Sequence, residues 1–576
     1  MSTSAYEQEL ANLRVLAKEF ASAHPAVAPM LGQPSADPDV ERLLEGVAFL
    51  TSILHQRLTD HFPEFVQEIA QVLFSQFLRP VPCATILSFS PKGKLTETVR
   101  IPRGTRAGSS PVDGTTCYFE TCQEIDLHPL TVSAVKVVQE AGRPASIHLT
   151  LSGMMPLAQL AAPSLSFYLG GPYSEGSNLF YHLTQNLESI EILAPGEPST
   201  LLSPGSLRAS SFGDDSALFP YSPNSFSAYR LFQEFFVMPA KFLFVELSGL
   251  SAWRQRGTGS TATVIFRLTK SPARPLNLQA HHFVLGAVPA VNLFEMDAEP
   301  MSLTHRQSEI PIRLAAGNRD HFDVFSIEQV TGVSSATGKT SEYRPFHELL
   351  GQERSLSSRA YRVVRRASKT EARAETYMGI LYGKGEGPTD ETLSVRVRAT
   401  NRMLPEALKP GEINRSTDNS PERLLFSNLT SPTPYIQPPL EDALTWRILS
   451  QLGINFLSLG DASRLRALLS IYVFPMERNK GLEDTNRKRI DSLEEVRLSR
   501  KDRFIRGVLL RGTEIMARVR GDGFPDLADL YLFGTVLNEF LSVYATINTF
   551  IKLEIENALT GERLSWPERL GTQTLI

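Results

Sequence analysis

The spacing of apolar positions changes character along the chain, and each change predicts a different kind of structure. In the first eighty residues the period is helical. Tyr6, Leu10, Leu13, Ala17 and Phe20 recur at alternating steps of four and three, which puts them in one seam on a single helical face. His24-Pro25 stops that helix. A second starts at "ADPDVERLLEGVAFL", where Asp37 suits the N-cap and Pro38 the first helical position. Val40, Leu43, Leu44, Val47, Thr51, Leu54 and Leu58 continue its apolar face. A third runs from Phe65 through Val66, Ile69, Val72, Leu73 and Phe77 into Pro80 and Pro82. A helix of about five turns has little stability alone. The first seam therefore packs on its own neighbours in a small helical domain or joins a bundle with other chains.

From Cys83 the texture becomes short β-rich runs punctuated by Gly and Pro. "ATILSFS", "ETVRIPRGTRAGS", "TCYFETCQEIDLHPL", "VSAVKVV", "PASIHLTLSG" and "SLSFYLGG" predict successive strands and turns. A second β-rich region begins near Phe242 with "KFLFVELSGL" and "TATVIFRL" and continues through "VFSIEQV" to "LSVRVRATN", where Val395 and Val397 alternate with polar neighbours. Pro, Ser, Thr and Asn accumulate between Lys409 and Pro439, as in a linker. The last part is mixed. "LEDALTWRILSQLGINFLSL" is helical in composition, and "DRFIRGVLLRGTEIMARVR" predicts a hairpin with its turn near Arg511-Gly512. "DLADLYLFGTVLNEFLSVYATINTF" is a long apolar helix with Leu527, Leu530, Gly534, Leu537, Leu541 and Tyr544 near one face. Most of its other surface is apolar too, so it belongs in a core or an interface. The predicted class is α+β: an N-terminal helical bundle over 1–80, β-rich domains over 81–240 and 241–407, a linker or irregular segment over 408–439, and a mixed α/β C-terminal domain over 440–576.

One loop invites a chemical reading. "VTGVSSATGKTSEYRPF", residues 330–346, contains the Gly-Lys-Thr tail of a phosphate-binding loop. That motif needs four residues between its glycines, so that consecutive N–H groups wrap the phosphates. Five, Val333 to Thr337, separate Gly332 from Gly338 here, and Val333 stands where the first glycine belongs. Pro345 would also kink any helix starting at Lys339. A polar hairpin turn is the expectation.

Composition narrows the remaining classes. With 576 residues and 42% hydrophobic content the chain can bury several cores, about three or four by size. A net charge of −4 gives no basic field to favour nucleic acid. The basic stretches 361–375 and 497–507 are diluted by acids and lack interleaved aromatics, so they suit solvated faces or rims that contact partners. Three cysteines, Cys83, Cys117 and Cys122, are too few for a disulfide framework. With His128 they form the one metal-like set, but a five-residue offset on a strand turns Cys117 and Cys122 to opposite faces. His281 and His282 are adjacent and read as one surface and one core residue. The N-terminus has no secretory pattern, and no apolar run approaches the ~18 residues of a membrane span. No nucleophile elbow or zinc-binding helix is present. No catalytic, cofactor or metal residues are assigned.

Taken in order, eight stretches resemble one family. "YEQELANLRVLAKEFASAHPAVAPMLG" and "DPDVERLLEGVAFLTSILHQRLTDHFPEF" open the chain. "FPYSPNSFSAYRLFQEFFVMPAKFLFVEL", "VPAVNLFEMDAEPMSLTHR" and "FSIEQVTG" follow, then "LSVRVRATNRMLP", "RGTEIMARV" and "LFGTVLNEFLSVYATINTFIKL". Over nearly its full length the sequence resembles the TssF (VasA/ImpG) family of type VI secretion baseplate subunits. The resemblance implies a structural role without enzymatic activity or cofactors, and a fold like the wedge proteins of contractile phage tails. It implies a pair of these chains bound to one TssG, joined by TssE and TssK around the spike hub (VgrG), priming sheath and tube assembly. It further implies a cytoplasmic location in a baseplate docked at the inner membrane, with only indirect contact to the membrane complex and none to nucleic acid. The alternative is a wedge protein of a phage tail or other contractile injection particle. In this frame the seam of Tyr6, Leu10, Leu13, Ala17 and Phe20 is expected in a bundle with TssG and the second copy. Leu530, Leu537 and Leu541 are expected at contacts between copies or wedges.

Overall fold

The computed structural model describes residues 45–46, 75–221, 228–335, 337–346, 359–368, 374–382, 389–438, 460–475, 479–505 and 508–571. The chain divides into two compact units, 1–74 with 441–449, and 75–440 with 450–576. All the elements described below belong to the second. The three predicted N-terminal helices, including Tyr6, Leu10, Leu13, Ala17 and Phe20, lie outside the described residues, apart from a helical fragment at 45–46 and a 3-10 turn, Ser75–Phe77, at the end of the third. The predicted helix at 440–459 lies outside them as well.

The second unit is α+β and dominated by sheets. Among the described residues it has five α-helices: α1 (Tyr173–Gln185), α2 (Tyr229–Val237), α3 (Ala462–Ser470), α4 (Lys480–Asp491) and α5 (Leu527–Ser542). A six-stranded sheet gathers strands from distant parts of the chain, in the spatial order 415–416, 106–108, 118–121, 287–291, 84–91 and 424–428. Ala287–Val291 is buried at every position because strands pair with it on both sides. Pro289 cannot donate there, but its carbonyl accepts from the Cys122 amide at 2.9 Å. The segment expected as a linker supplies both edges of this sheet, through Arg415–Ser416 and Leu424–Asn428. Its Pro and Asn residues punctuate two short edge strands, as edge strands allow.

A larger sheet is built around Glu391–Thr400. Leu393, Val395, Val397 and Ala399 face its core, which is the alternation the sequence predicts. Asp323–Ser334 pairs along the whole of this strand with two bulges, then reverses into Thr340–Pro345. The 330–346 loop is thus a β-hairpin, and Gly338 takes the left-handed conformation its turn requires (φ +66°). A five-stranded sheet (130–138, 146–153, 187–193, 200–202, 261–268) and a four-stranded sheet (165–168, 207–209, 244–247, 284–285) complete the middle of the molecule.

The C-terminal sheet is a long hairpin, Leu493–Ile505 and Val508–Val519, with Thr549–Asn557 added parallel to its second strand. The chain reverses between Ile505 and Val508, not at Arg511-Gly512. Gly512 sits inside the second strand opposite Lys501, where a Cβ would run into the Phe550 ring. α5 packs against Thr549–Asn557 of this sheet. Asp526 caps it by accepting from the Asp529 amide at 2.8 Å. Gly534 is needed because a Cβ there would run into the Trp566 ring.

Candidate functional site

Two regions concentrate what the sequence singled out: a buried junction where helices and sheets meet, and an exposed arm on the C-terminal sheet. The junction begins with the stretch "YRLFQEFFVMPAKF". All nine residues of α2 are buried, three of them polar. Glu234 accepts from Lys241 Nζ and, at 3.4 Å, from Arg230 Nη1 on one oxygen, and from the Leu218 amide at 2.8 Å on the other. Arg230 Nε reaches out to Asp214 at 3.0 Å. Burial lowers the Lys241 pKa, and the charge of Glu234 works against that shift. This is a self-satisfied ionic cluster, which rigidifies the turn between α2 and Phe244–Leu247 but offers no group to a substrate.

Aromatic rings tie α2 to α5, with Phe232 and Phe540 4.5 Å apart and Phe235 and Phe533 5.9 Å apart. Beside them Arg489 of α4 grips Asp529 of α5 with two hydrogen bonds, 2.9 and 2.6 Å. Tyr173 of α1 donates to the same carboxylate at 2.6 Å. Asn486 donates to the Phe236 carbonyl at 2.9 Å and accepts from Arg489 Nη1 at 2.7 Å. α1, α2, α4 and α5 thereby meet at one fully buried charge pair.

A second joint links the six-stranded and eight-stranded sheets. Asn292, between Ala287–Val291 and Phe294–Asp297, is fully buried. Its oxygen accepts from the Thr400 hydroxyl at 2.8 Å and the Asn401 amide at 2.7 Å. Its nitrogen donates to the Tyr118 carbonyl at 2.7 Å and to Asn401 Oδ1 at 2.9 Å. The family-like stretches "VPAVNLFEMD" and "VRVRATNRM" meet at this point.

The apparent phosphate loop is likewise structural at its first glycine. Gly332 lies against Glu391 and Tyr343, and a Cβ would come 2.8 Å from the Tyr343 ring and closer still to Glu391. Tyr343 donates to Glu391 at 2.9 Å, and Arg359 pairs with the other oxygen. Lys339 is exposed. The cysteines are not brought together as ligands. The thiol of Cys83 donates to the Arg402 carbonyl at 3.5 Å and that of Cys122 to Leu218 at 3.4 Å, while His128 bonds Thr98 at 2.9 Å. Burial pushes the Cys122 thiol up to about 12. Among the described residues no three metal-type side chains converge. His281 is exposed and His282 buried, in a helical turn instead of a strand. His282 Nδ1 accepts from the Gln279 amide at 2.9 Å, so its Nε2 faces Glu175 at 2.7 Å as the donor.

Leu530, Leu537 and Leu541 are buried by this chain's own elements. The arm is the opposite case. Phe504 and Leu509 stand directly across from each other near the end of the long hairpin, and both are exposed. Sequence reasoning marked the basic run 497–507 here, but neither Phe504 within it nor Leu509 just beyond it. Among the described residues no helix is long and apolar enough to cross a membrane.

Comparison with known proteins places this architecture. A family model for the type VI secretion system protein TssF matches residues 2–573. The chain is 30% identical, over an alignment of 620 residues covering 99% of it and 98% of the relative, to the type VI secretion system component TssF1 of Pseudomonas aeruginosa strain PAO1. Among solved structures it resembles a chain of the TssK-TssF-TssG baseplate subcomplex seen by cryo-electron microscopy. The TM-score is 0.76 at 27% identity, over 92% of this chain and 99% of that one. It also resembles a chain of the type VI secretion baseplate complex, with a TM-score of 0.60 at 25% identity over the full length of both. With the family match running almost from end to end and the shared stretches meeting at the joints of the fold, the chain belongs to the TssF family of type VI secretion system proteins.

Proposed function

We propose that this chain is a structural wedge subunit of a type VI secretion baseplate, binding counterparts of TssK and TssG. The observation that carries the reading is the likeness in fold and sequence, over nearly the whole of both chains, to a subunit of the TssK-TssF-TssG subcomplex. The buried charges support it, because each ionic cluster is spent on joining elements of the fold. In the assembled particle two copies bind one TssG counterpart. TssE and the spike hub, VgrG, complete a baseplate that primes sheath and tube growth. The location is cytoplasmic, at a baseplate docked on the inner membrane. The seam of Tyr6, Leu10, Leu13, Ala17 and Phe20 enters a helical bundle with the TssG counterpart and the second copy. Leu530, Leu537 and Leu541, expected at contacts between copies, are spent on this chain's own core.

The test is co-expression with the neighbouring secretion genes, purification on this chain and native mass spectrometry. A stable assembly with two copies of this chain to one TssG counterpart is expected. A monodisperse chain that binds no neighbour would overturn the reading.

A further inference from the structure

The C-terminal hairpin extends past the strand that supports it. Its two strands stay paired from Leu493 and Val519 out to Ile505 and Val508, whereas Thr549–Asn557 joins only from Arg511 inward. The unsupported part projects about 10 Å at ~3.3 Å per residue. Alternation keeps Val496, Leu498, Arg500, Asp502 and Phe504 on one face, across from Ala517, Ile515, Thr513, Arg511 and Leu509. At its base this face is core, with Val496, Ile515 and Ala517 buried. At its tip it meets water, with Phe504 77% and Leu509 57% exposed. Leu570 is exposed at the same end of the sheet but, paired with Phe550 beside Gly512, it lies on the opposite face. Exposed apolar side chains scattered singly need no explanation, but two paired directly across the end of a projecting hairpin mark a contact surface.

The charge around the tip is one-sided. Between Arg497 and Arg511 the sequence has Arg497, Arg500, Lys501, Arg503, Arg506 and Arg511 against Asp502 alone, in a chain whose net charge is −4. Arg497 pairs with Glu495, Arg511 with Asp502, and Arg503 with Glu514 and Glu568. Among the described residues Arg500, on the face of Phe504, and Lys501, on the opposite face, have no ion pair.

We propose that this tip docks into an apolar depression rimmed by carboxylates on another protein of the baseplate; the proposal rests on the baseplate reading above. Three arguments select that occupant. A second copy meeting the tip symmetrically would bring the two cationic rims together. The charged outer strand Leu493–Ile505 discourages strand addition, so recognition falls to the side chains at the tip. The tip is also too small to supply the ~800 Å² per partner of a self-sufficient interface, which suits one contact among several in a larger assembly. An anionic bilayer would attract the same cations, and the vesicle arm of the experiment below distinguishes it.

The experiment places the photo-crosslinker p-benzoylphenylalanine at position 504 in the full chain, within the baseplate assembled from all its genes, and maps cross-linked peptides by mass spectrometry. Cross-links to a different baseplate protein, at a segment carrying Asp or Glu, are expected. Arg500→Glu with Lys501→Glu should reduce their yield about tenfold while the thermal midpoint of the isolated chain is unchanged. Cross-linking to a second copy, or pelleting of the wild-type chain with anionic phosphatidylglycerol vesicles lost in Phe504→Ser, would overturn the proposal. An intact complex with no cross-link overturns the tip contact alone. A chain that enters no complex overturns both readings.

Discussion

Asn292 and Asn401 touch side chain to side chain where the two large sheets join, Nδ2 of the first donating to Oδ1 of the second at 2.9 Å. Each ends a central strand, so their contact fixes how one sheet hands the chain to the other. Asn292→Ala would leave the Thr400 hydroxyl, the Asn401 amide and the Tyr118 carbonyl without their partner in a site that excludes water. Unmet buried groups cost about 1–3 kcal/mol each, partly relieved by relaxation, so a loss of about 2–4 kcal/mol is expected in urea denaturation. Asn292→Asp should be as damaging, because an oxygen would then face the Tyr118 carbonyl and Asn401 Oδ1. A double Asn292→Ala, Asn401→Ala variant should lose less than the sum of the single losses. Strict additivity would refute the coupling.

The Arg489–Asp529 pair predicts a different pattern. Breaking a buried ion pair on one side leaves an uncompensated charge and costs about 3–5 kcal/mol, whereas replacing both sides by apolar groups can be near neutral. Asp529→Leu alone should strongly destabilise, and Arg489→Met with Asp529→Leu should recover much of the loss. Recovery stays incomplete because Tyr173 also loses its acceptor. Thermal unfolding of the three variants decides it: a double variant no better than Asp529→Leu would show that the pair's charge is not what the junction depends on.

The hairpin at 330–346 separates packing from phosphate chemistry in one comparison. Gly332→Ala should cost about 1–3 kcal/mol, since a Cβ has no room beside Glu391 and Tyr343. Lys339→Ala should stay within about 0.5 kcal/mol and leave baseplate assembly intact. Loss of assembly in Lys339→Ala, with the fold preserved, would reopen a role for that lysine.

The neighbouring carboxylate gives a signed pH dependence. Burial tends to raise the pKa of Glu391, but hydrogen bonds from Thr389, Arg359 and Tyr343 outweigh it and hold the carboxyl below its usual range. A depressed folded pKa contributes stability that is present above the unfolded value of about 4.3 and is lost as pH falls through the folded value. Asp526 and Glu539, raised by burial, contribute with the opposite sign. Subtracting a Glu391→Gln variant from the wild type cancels them. The gap in Tm between the two proteins should therefore be wide at neutral pH and narrow in acid. A gap that widens as pH falls would contradict the assignment.

These sites differ in how far the sequence reveals them, and the difference is physical. Leu393, Val395 and Val397 declare a strand because one face of it is core and the other is not, so burial leaves a period of two. α5 is evident as a buried helix because nearly every side is apolar. α2 leaves no such trace, since its whole surface is buried and its polar residues read as solvated. Their partners are set by the fold: Lys241 lies seven residues along, and Asp214 sixteen back. Asn292 and Asn401 are 109 residues apart, and no local pattern announces which strands will be neighbours. Gly512 reads as a turn residue, yet it is the Phe550 ring packing against the strand that requires it.

The N-terminal seam carries the remaining prediction, and it concerns assembly more than stability. Tyr6, Leu10, Leu13, Ala17 and Phe20 repeat at heptad-like spacing, which places them where a second helix can insert its own side chains. A charge at two adjacent seam positions is costly in a packed bundle and cheap on a solvated helix. Leu10→Asp with Leu13→Asp should then abolish co-purification of the TssG counterpart. The circular dichroism signal and Tm of the compact unit formed by 75–440 and 450–576 should not change. If the variant is folded and retains the TssG counterpart at wild-type stoichiometry, the seam packs within its own domain and the bundle proposal fails. If the Tm of the whole chain falls, the seam is part of this chain's core, and partner loss would follow from unfolding. Measuring both on one sample separates the three cases.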